Sequence, residues 1–243
     1  MSQYASVNDV LNRVAVEVGF DSSNDPLADT NKIFNQLRFL MNSAAEELIQ
    51  MHPWTEMQKE HSFTTATGTA SYSMPTDFSY MIDQTGWDRT KDMPLGGPLS
   101  PQEWQYLKGR DLTNQTIYAS FRIKQREVYI YPDNPVPNAL SIAFEYMSDK
   151  WLQDASSAST FYDEIDAGDD IILFPKIVAV KILKCKWLEA RGFDSSKARE
   201  DFAVMMFSTL GHDGSASIIN IGGSRGFPYM NAIRNTPDTN YGT

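Results

Sequence analysis

One cysteine, Cys185, stands in a chain of 243 residues. A lone thiol excludes an internal disulfide and cannot anchor a thiolate metal site. Basic residues are also few: 21 Lys+Arg face 31 Asp+Glu, for a formal net charge of -10. That balance excludes a protein whose whole surface grips nucleic acid, because phosphate binding needs clustered Lys and Arg. Long apolar runs are missing, and nothing approaches the roughly 20 residues that span a bilayer. Residues Met1–Asn8 lack the charged and apolar regions of a signal peptide. The histidines are His52, His61 and His212, with neither H-E-x-x-H nor H-x-E…C-x-x-C spacing, and no G-x-S-x-G elbow is present. What remains is a chain with 42% apolar residues, of a length expected for one large domain or two small ones. The reading is a soluble, acidic protein of a reducing compartment, without cofactor, metal or catalytic site.

Helical periodicity dominates both ends. Ser6, with Asp9 three residues on, is an acidic variant of the capping box. Val10, Leu11, Val14 and Val18 follow at helical spacing until Gly19. A second helix is expected from Asp29 or Thr30, with the stripe Ile33, Leu37, Leu40, Met41, Ala44 and Leu48, ending at His52-Pro53. Strand patterns begin at Met57. Phe63-Thr64-Thr65, Tyr72-Ser73-Met74, Phe78–Ile82, Ile117–Ile123 and Val128–Tyr131 are candidates, and Leu140–Tyr146 alternates strictly. Asp92–Pro98 reads as loop, and Ser100-Pro101-Gln102-Glu103 as a helix start. Helix three is expected from about Ile171 to Arg191, and a fourth from Asp194 or Ser195 to about Thr209.

The acidic cluster Asp163–Asp170 lacks calcium-loop spacing. It reads instead as carboxylates at the positive end of helix three. Gly222-Gly223-Ser224-Arg225-Gly226 neither follows a clear strand nor opens a helix, so it is not taken as a phosphate loop.

Helix three carries two apolar stripes. At about 100° per residue, Ala179, Val180, Leu183 and Trp187 form one, while Val178, Ile182 and Cys185 form another on nearly the opposite side. Such a helix is buried between two layers. Two arrangements satisfy this: a three-layer core within the chain, or one face inward and one against a neighbouring subunit. In the second case Val178, Ile182 and Trp187 are the interface candidates. The residues after Leu210 include 6 of the 14 glycines yet keep Ile218, Ile219, Ile221, Phe227, Tyr229 and Tyr241. A segment so apolar and so broken is expected to lie on another surface.

Several motifs in order then point to a family. Phe63-Thr64-Thr65, followed by Tyr72-Ser73-Met74-Pro75-Thr76-Asp77-Phe78, resembles the F-T-T…Y-x-L-P-x-D-F pattern of head-to-tail adaptor proteins of short-tailed bacteriophages. Thr85–Thr90 and Pro94–Trp104 are similar to that group's next two signatures, Trp187–Asp194 to its helix-ending stretch, and Pro237–Gly242 to its closing motif. Lys186-Trp187-Leu188 departs from it, being less basic than in the group.

The resemblance, to the tail tubular protein A group, implies a structural virion protein and not an enzyme. It implies a dodecameric ring linking the portal protein to the tail nozzle protein, with a tail fibre as a further partner. DNA would pass through the channel during ejection without specific binding. It places the protein in the virion neck after assembly in the host cytoplasm, with no membrane partner. The implied fold is α+β: a helical bundle of four main helices from both chain ends (1–56 plus 161–209), an inserted antiparallel β domain (57–160) and an extended C-terminal tail (210–243) docking on the portal. Another phage tail protein, such as a fibre-attachment module without portal contact, is the alternative; a cell-wall hydrolase is a distant third.

Overall fold

Ser6 begins the helical part of the fold: its hydroxyl accepts the Asp9 N–H at 3.3 Å, satisfying a first-turn donor that no helical carbonyl can reach. The computed structural model of the chain describes residues 4–29, 31–109, 120–131 and 139–213. Strand β1 (Ala5–Ser6) runs into α1 (Val7–Glu17), which buries Val7, Val10, Leu11, Val14 and Ala15. Helix α2 (Lys32–Met51) starts slightly later than its periodicity predicts, because Asn31 is the cap, accepting the Ile33 N–H at 3.2 Å. It stops at His52, which is extended before Pro53 as expected.

The central elements are β2 (Gln58–Thr64), β3 (Ser71–Ser73), β4 (Phe78–Met81), β5 (Trp87–Asp88), β6 (Met93–Pro94), α3 (Pro101–Gly109), β7 (Ser120–Lys124), β8 (Glu127–Tyr131) and β9 (Ser141–Ser148). Three short strands follow, β10 (Leu152–Gln153), β11 (Phe161–Tyr162) and β12 (Ile171–Ile172), before α4 (Lys176–Ala190) and α5 (Ser196–Leu210).

All pairings between these strands are antiparallel. Strand β9 is the spine of one sheet. β2 lies along one edge, from Gln58 opposite Met147 to Thr64 opposite Ser141, and β4 and β5 share the other. A second sheet has the order β3-β8-β7; a third, β1-β12-β10-β11, joins residues 5–6 to residues 171–172.

Two cores result. Met81, Phe121, Ile130, Ile142 and Phe144 anchor the β core. The other gathers α1, α2, α4 and one residue of α5, together with Trp54, Met57, Met147, Trp151, Leu152 and Phe174. Helix α4 is central to it, packed against α1, α2 and α5. The fold class is therefore α+β, with five helices among the described residues. Helix α3 sits on the β part, where the Trp104 and Tyr131 rings meet edge to face at 6.1 Å.

Two expectations need correction. Helix three does not begin near Ile171: Ile171–Ile172 pairs with β1 and β10 as a strand, and Pro175 caps a helix starting at Lys176. The run Ile171-Ile172-Leu173-Phe174 is apolar for a different reason, since it crosses the core extended before the helix starts. The acidic cluster is accordingly not at a helix N-terminus. Within Asp92–Pro98, Met93–Pro94 also forms a two-residue strand paired with Trp87–Asp88.

Candidate assembly surfaces

The interface candidates on α4 come first. Val178, Ile182 and Trp187 are all buried within the chain's own core. So are Ala179, Val180, Leu183 and Cys185, hence both apolar stripes of α4 are covered. Polar ties hold the flanking helices in place: Lys184 reaches Glu17 of α1 at 3.1 Å, Lys186 binds Glu47 of α2, and Lys181 lies 3.5 Å from Asp201 of α5. Arg199 of α5 binds Glu189 at 2.7 Å. Trp187 packs between the rings of Phe20 and Phe193, with the Arg191 guanidinium 5.6 Å from its centroid.

The recurring motifs of the β part prove to be interlocks. Asp77 sits where the β3–β4 connection meets the β2–β9 pair. Its carboxylate accepts bonds from Lys59 Nζ at 2.6 Å, Tyr146 OH at 2.9 Å and Ser148 Oγ at 3.0 Å. Burial works to raise the Asp77 pKa, but these three donors outweigh it and hold the carboxyl below its usual range. The same burial, with Asp77 opposite, pushes the Tyr146 phenol up. Asp88, fully buried, accepts the Thr90 N–H at 2.7 Å and closes a turn.

In Pro94–Trp104, Gly97 lies against β7. A Cβ there would sit 2.5 Å from the Phe121 carbonyl oxygen, and its φ of +151° is one that side chains rarely adopt. Ser100 and Glu103 complete the predicted capping box. Glu103 Oε2 accepts the Ser100 N–H at 2.8 Å, and Ser100 Oγ accepts the Glu103 N–H at 3.2 Å.

The exposed apolar side chains cluster elsewhere. On α5, Met206 faces the core, while Val204 (57% exposed) and Phe207 (82%) face away from it. On α2, Phe39 is 71% exposed on the face opposite Leu37, Met41 and Leu48. The expected α2 stripe left Phe39 out, whereas Phe207, next to Met206, reads in sequence like any core residue. The end of α5 is pinned: Asp213 Oδ2 lies 2.9 Å from His52 Nε2 and 3.3 Å from the Thr55 N–H. Ile218, Ile219, Ile221, Phe227, Tyr229 and Tyr241 lie outside the described residues.

Cys185 is buried in α4, and burial pushes its thiol pKa up, so it stays protonated at neutral pH. In the acidic loop, Asp163 pairs with Lys150 at 2.8 Å. Asp170 is 3% exposed, with one carboxylate oxygen unpartnered. Burial raises its pKa and Asp154 and Asp166 add to this, against bonds from the Ala155 and Ala167 N–H groups. Among the described residues no group of three or more His, Cys, Asp or Glu side chains could hold a metal ion, and no helix is long and apolar enough to cross a membrane.

The geometry is that of a protein built on interlocks and surfaces, and comparison with known families agrees. A family model described as SU10 adaptor protein matches residues 5–210, from β1 to the end of α5. The molecule is thus a structural adaptor of a bacteriophage virion, of the head-to-tail kind found in the neck. It belongs to the SU10 adaptor protein family. No curated protein matches the chain.

Proposed function

We propose that this adaptor assembles as a cyclic ring, a dodecamer as in the group its motifs resemble, between the portal protein and the tail nozzle protein. The family match over residues 5–210 carries this reading, because it spans every helix and sheet of the described fold. A ring with cyclic symmetry needs two different complementary surfaces on each subunit. Val178, Ile182 and Trp187 contribute from beneath, as the core that backs the neighbour contact.

The portal contact is assigned to the segment after Asp213, through Ile218, Ile219, Ile221, Phe227, Tyr229 and Tyr241. That segment suits a protein surface, being nearly neutral: residues 214–243 hold two basic side chains and one acidic. The first 60 residues hold 4 basic and 9 acidic side chains. Most of that excess lies off the helices, since α1 and α2 together hold four acidic and three basic side chains; turned towards the channel, the first 60 residues repel DNA phosphates, so the genome passes during ejection without being held. A tail fibre is a further partner on the ring's outer side.

Mass measurement of the purified chain, with and without portal protein, tests the reading. The expected result is a closed oligomer carrying portal; a chain that neither oligomerises nor binds portal overturns it. A ring with the Asp and Glu side chains of residues 1–60 on its outer rim would overturn the channel assignment alone.

A further inference from the structure

We infer that the basic β7–β8 hairpin of one copy docks on the acidic 163–170 loop of the next, and that this contact selects the neighbour in the ring; the inference rests on the ring proposed above. Cations are scarce in this chain, and those of its last two helices are already matched: every Lys and Arg of α4 and α5 sits in an ion pair. The hairpin is the exception. Gln125 and Arg126 form its two-residue turn, with φ of 54° and 61°. Strand alternation turns Phe121 and Ile123 to the β core and leaves Arg122 and Lys124 on the outer face. Among the described residues Arg122, Lys124 and Arg126 form no ion pair within the chain. Arg126 donates to the Thr76 carbonyl, which leaves its charge uncompensated. Glu127, the single carboxylate of residues 120–131, accepts the Tyr129 hydroxyl. Three cations against one carboxylate make the hairpin a positive patch on a chain of formal net charge -10.

Residues 163–170 are the reverse, with five carboxylates and no Lys or Arg. Lys150 pairs with Asp163, and Arg38 donates to the Ile165 carbonyl. Glu164, Asp166 and Asp169 are exposed and, among the described residues, form no ion pair. The surplus reaches inside, where buried Asp170 keeps one carboxylate oxygen unpartnered. The loop is nevertheless held in place: Ile165 is buried in the helical core, and the Gly168 and Asp170 carbonyls accept the Asn8 and Val7 N–H groups, both at 2.9 Å. Hairpin and loop are thus set before they meet, which lowers the ordering cost of contact. Opposite charge then fixes which surfaces come together. The hairpin stands on the β core and the loop on the helical core, so the contact is heterologous, as a ring requires. DNA is the other polyanion the hairpin could meet, but it would leave the acidic loop uncompensated; a second copy satisfies both.

The test uses the full chain with portal protein, at a concentration where the wild type is assembled, and reads assembled fraction by sedimentation together with Tm. Lys124→Glu with Arg126→Glu in one chain, and Asp166→Lys with Asp169→Lys in another, are each expected to lower the assembled fraction at least tenfold without lowering Tm. A general effect of net charge would instead favour the second variant, which is less acidic than the wild type. Mixed in equal amounts, the two variants should assemble again in alternation, because each reversed hairpin then meets a reversed loop. Normal assembly of either variant alone overturns the inference, as does a mixture that stays unassembled. If the hairpin variant assembles normally but loses binding to duplex DNA, the hairpin is a DNA contact and the inference falls. A wild type that stays monomeric with portal present removes the ring itself; a wild-type ring insensitive to both reversals removes only this contact.

Discussion

The Asp213 carboxylate ties the end of α5 to the end of α2, with His52 Nε2 at 2.9 Å and the Thr55 N–H at 3.3 Å. Two helices distant in sequence thereby share one polar anchor, and the chain leaves α5 from a fixed point. Asp213→Ala should cost about 1–2 kcal/mol, because it strips two donors of their acceptor at a largely buried side chain. Thermal unfolding measures the cost. Faster amide exchange at Thr55 would locate it.

Two aspartates that the fold shifts in opposite directions should respond to pH with opposite signs. Asp77 has a depressed pKa, so its stabilisation is complete above the unfolded value near about 3.9 and drains away as pH falls through the lower folded one. Asp77→Asn should cost about 1–3 kcal/mol at pH 7, with the gap closing in acid. Asp170 has a raised pKa, so the fold favours its protonated form and its ionised form costs stability as pH rises from the ordinary carboxylate range. Asp170→Asn should therefore be more stable than wild type at pH 7, by about 1 kcal/mol, and equal to it near pH 3. Urea unfolding at several pH values separates the two; a loss on Asp170→Asn at pH 7 would refute the assignment.

Gly97 has no room for a side chain. Its Cβ would meet the Phe121 carbonyl oxygen at 2.5 Å and the Phe121 ring at 2.8 Å. Gly97→Ala should cost more than about 2 kcal/mol by moving β7. Gly109→Ala, where nothing lies within 4 Å, should change stability by less than about 0.5 kcal/mol. Comparing the two Tm values distinguishes a close approach from a general dislike of substitution.

Core and surface should separate cleanly on the helices. Ile182→Ala, in the covered stripe of α4, should cost about 2–5 kcal/mol. Phe207→Ser should leave the unfolding midpoint of the isolated chain nearly unchanged, because that ring is already in water. Chemical denaturation of both variants gives the comparison.

These contrasts show how far the sequence could be read. Helices α1 and α2 were legible because each is covered on one face only, so apolar spacing reports burial directly. The capping box Ser100–Glu103 was legible because its chemistry is local. The start of α4 was not: Ile171 to Phe174 is a short apolar run, and periodicity alone cannot separate a buried strand from a helical turn. Two-residue strands such as β6, β10, β11 and β12 leave no periodic trace at all. The apolar stripes of α4 were visible, but their partners were not, since α5 and α1 cover it from positions that spacing cannot reveal. Phe39 already lay off the expected α2 stripe, but spacing could not show that its ring stays in water. Most of the family motifs, by contrast, turned out to be places where the chain is locked to itself, as at Asp77, Asp88 and Gly97. They serve recognition of the fold and say little about which surface meets a partner.

The pairing of β2 with β9 has a consequence for how the chain reaches its native state. Gln58 lies opposite Met147, so nearly ninety residues are looped out between neighbours in the sheet. All strands of that loop find their partners within it, and once they close, α2 and the segment leading to α4 are delivered side by side. The entropy of joining two distant stretches of helix is then borne by strand formation beforehand. A chain still emerging from the ribosome can finish its middle first, while α1 waits for residues 171–172 and for α4 to arrive. Damage in the β region should therefore slow the closing of a helical core to which its spine strand contributes Met147.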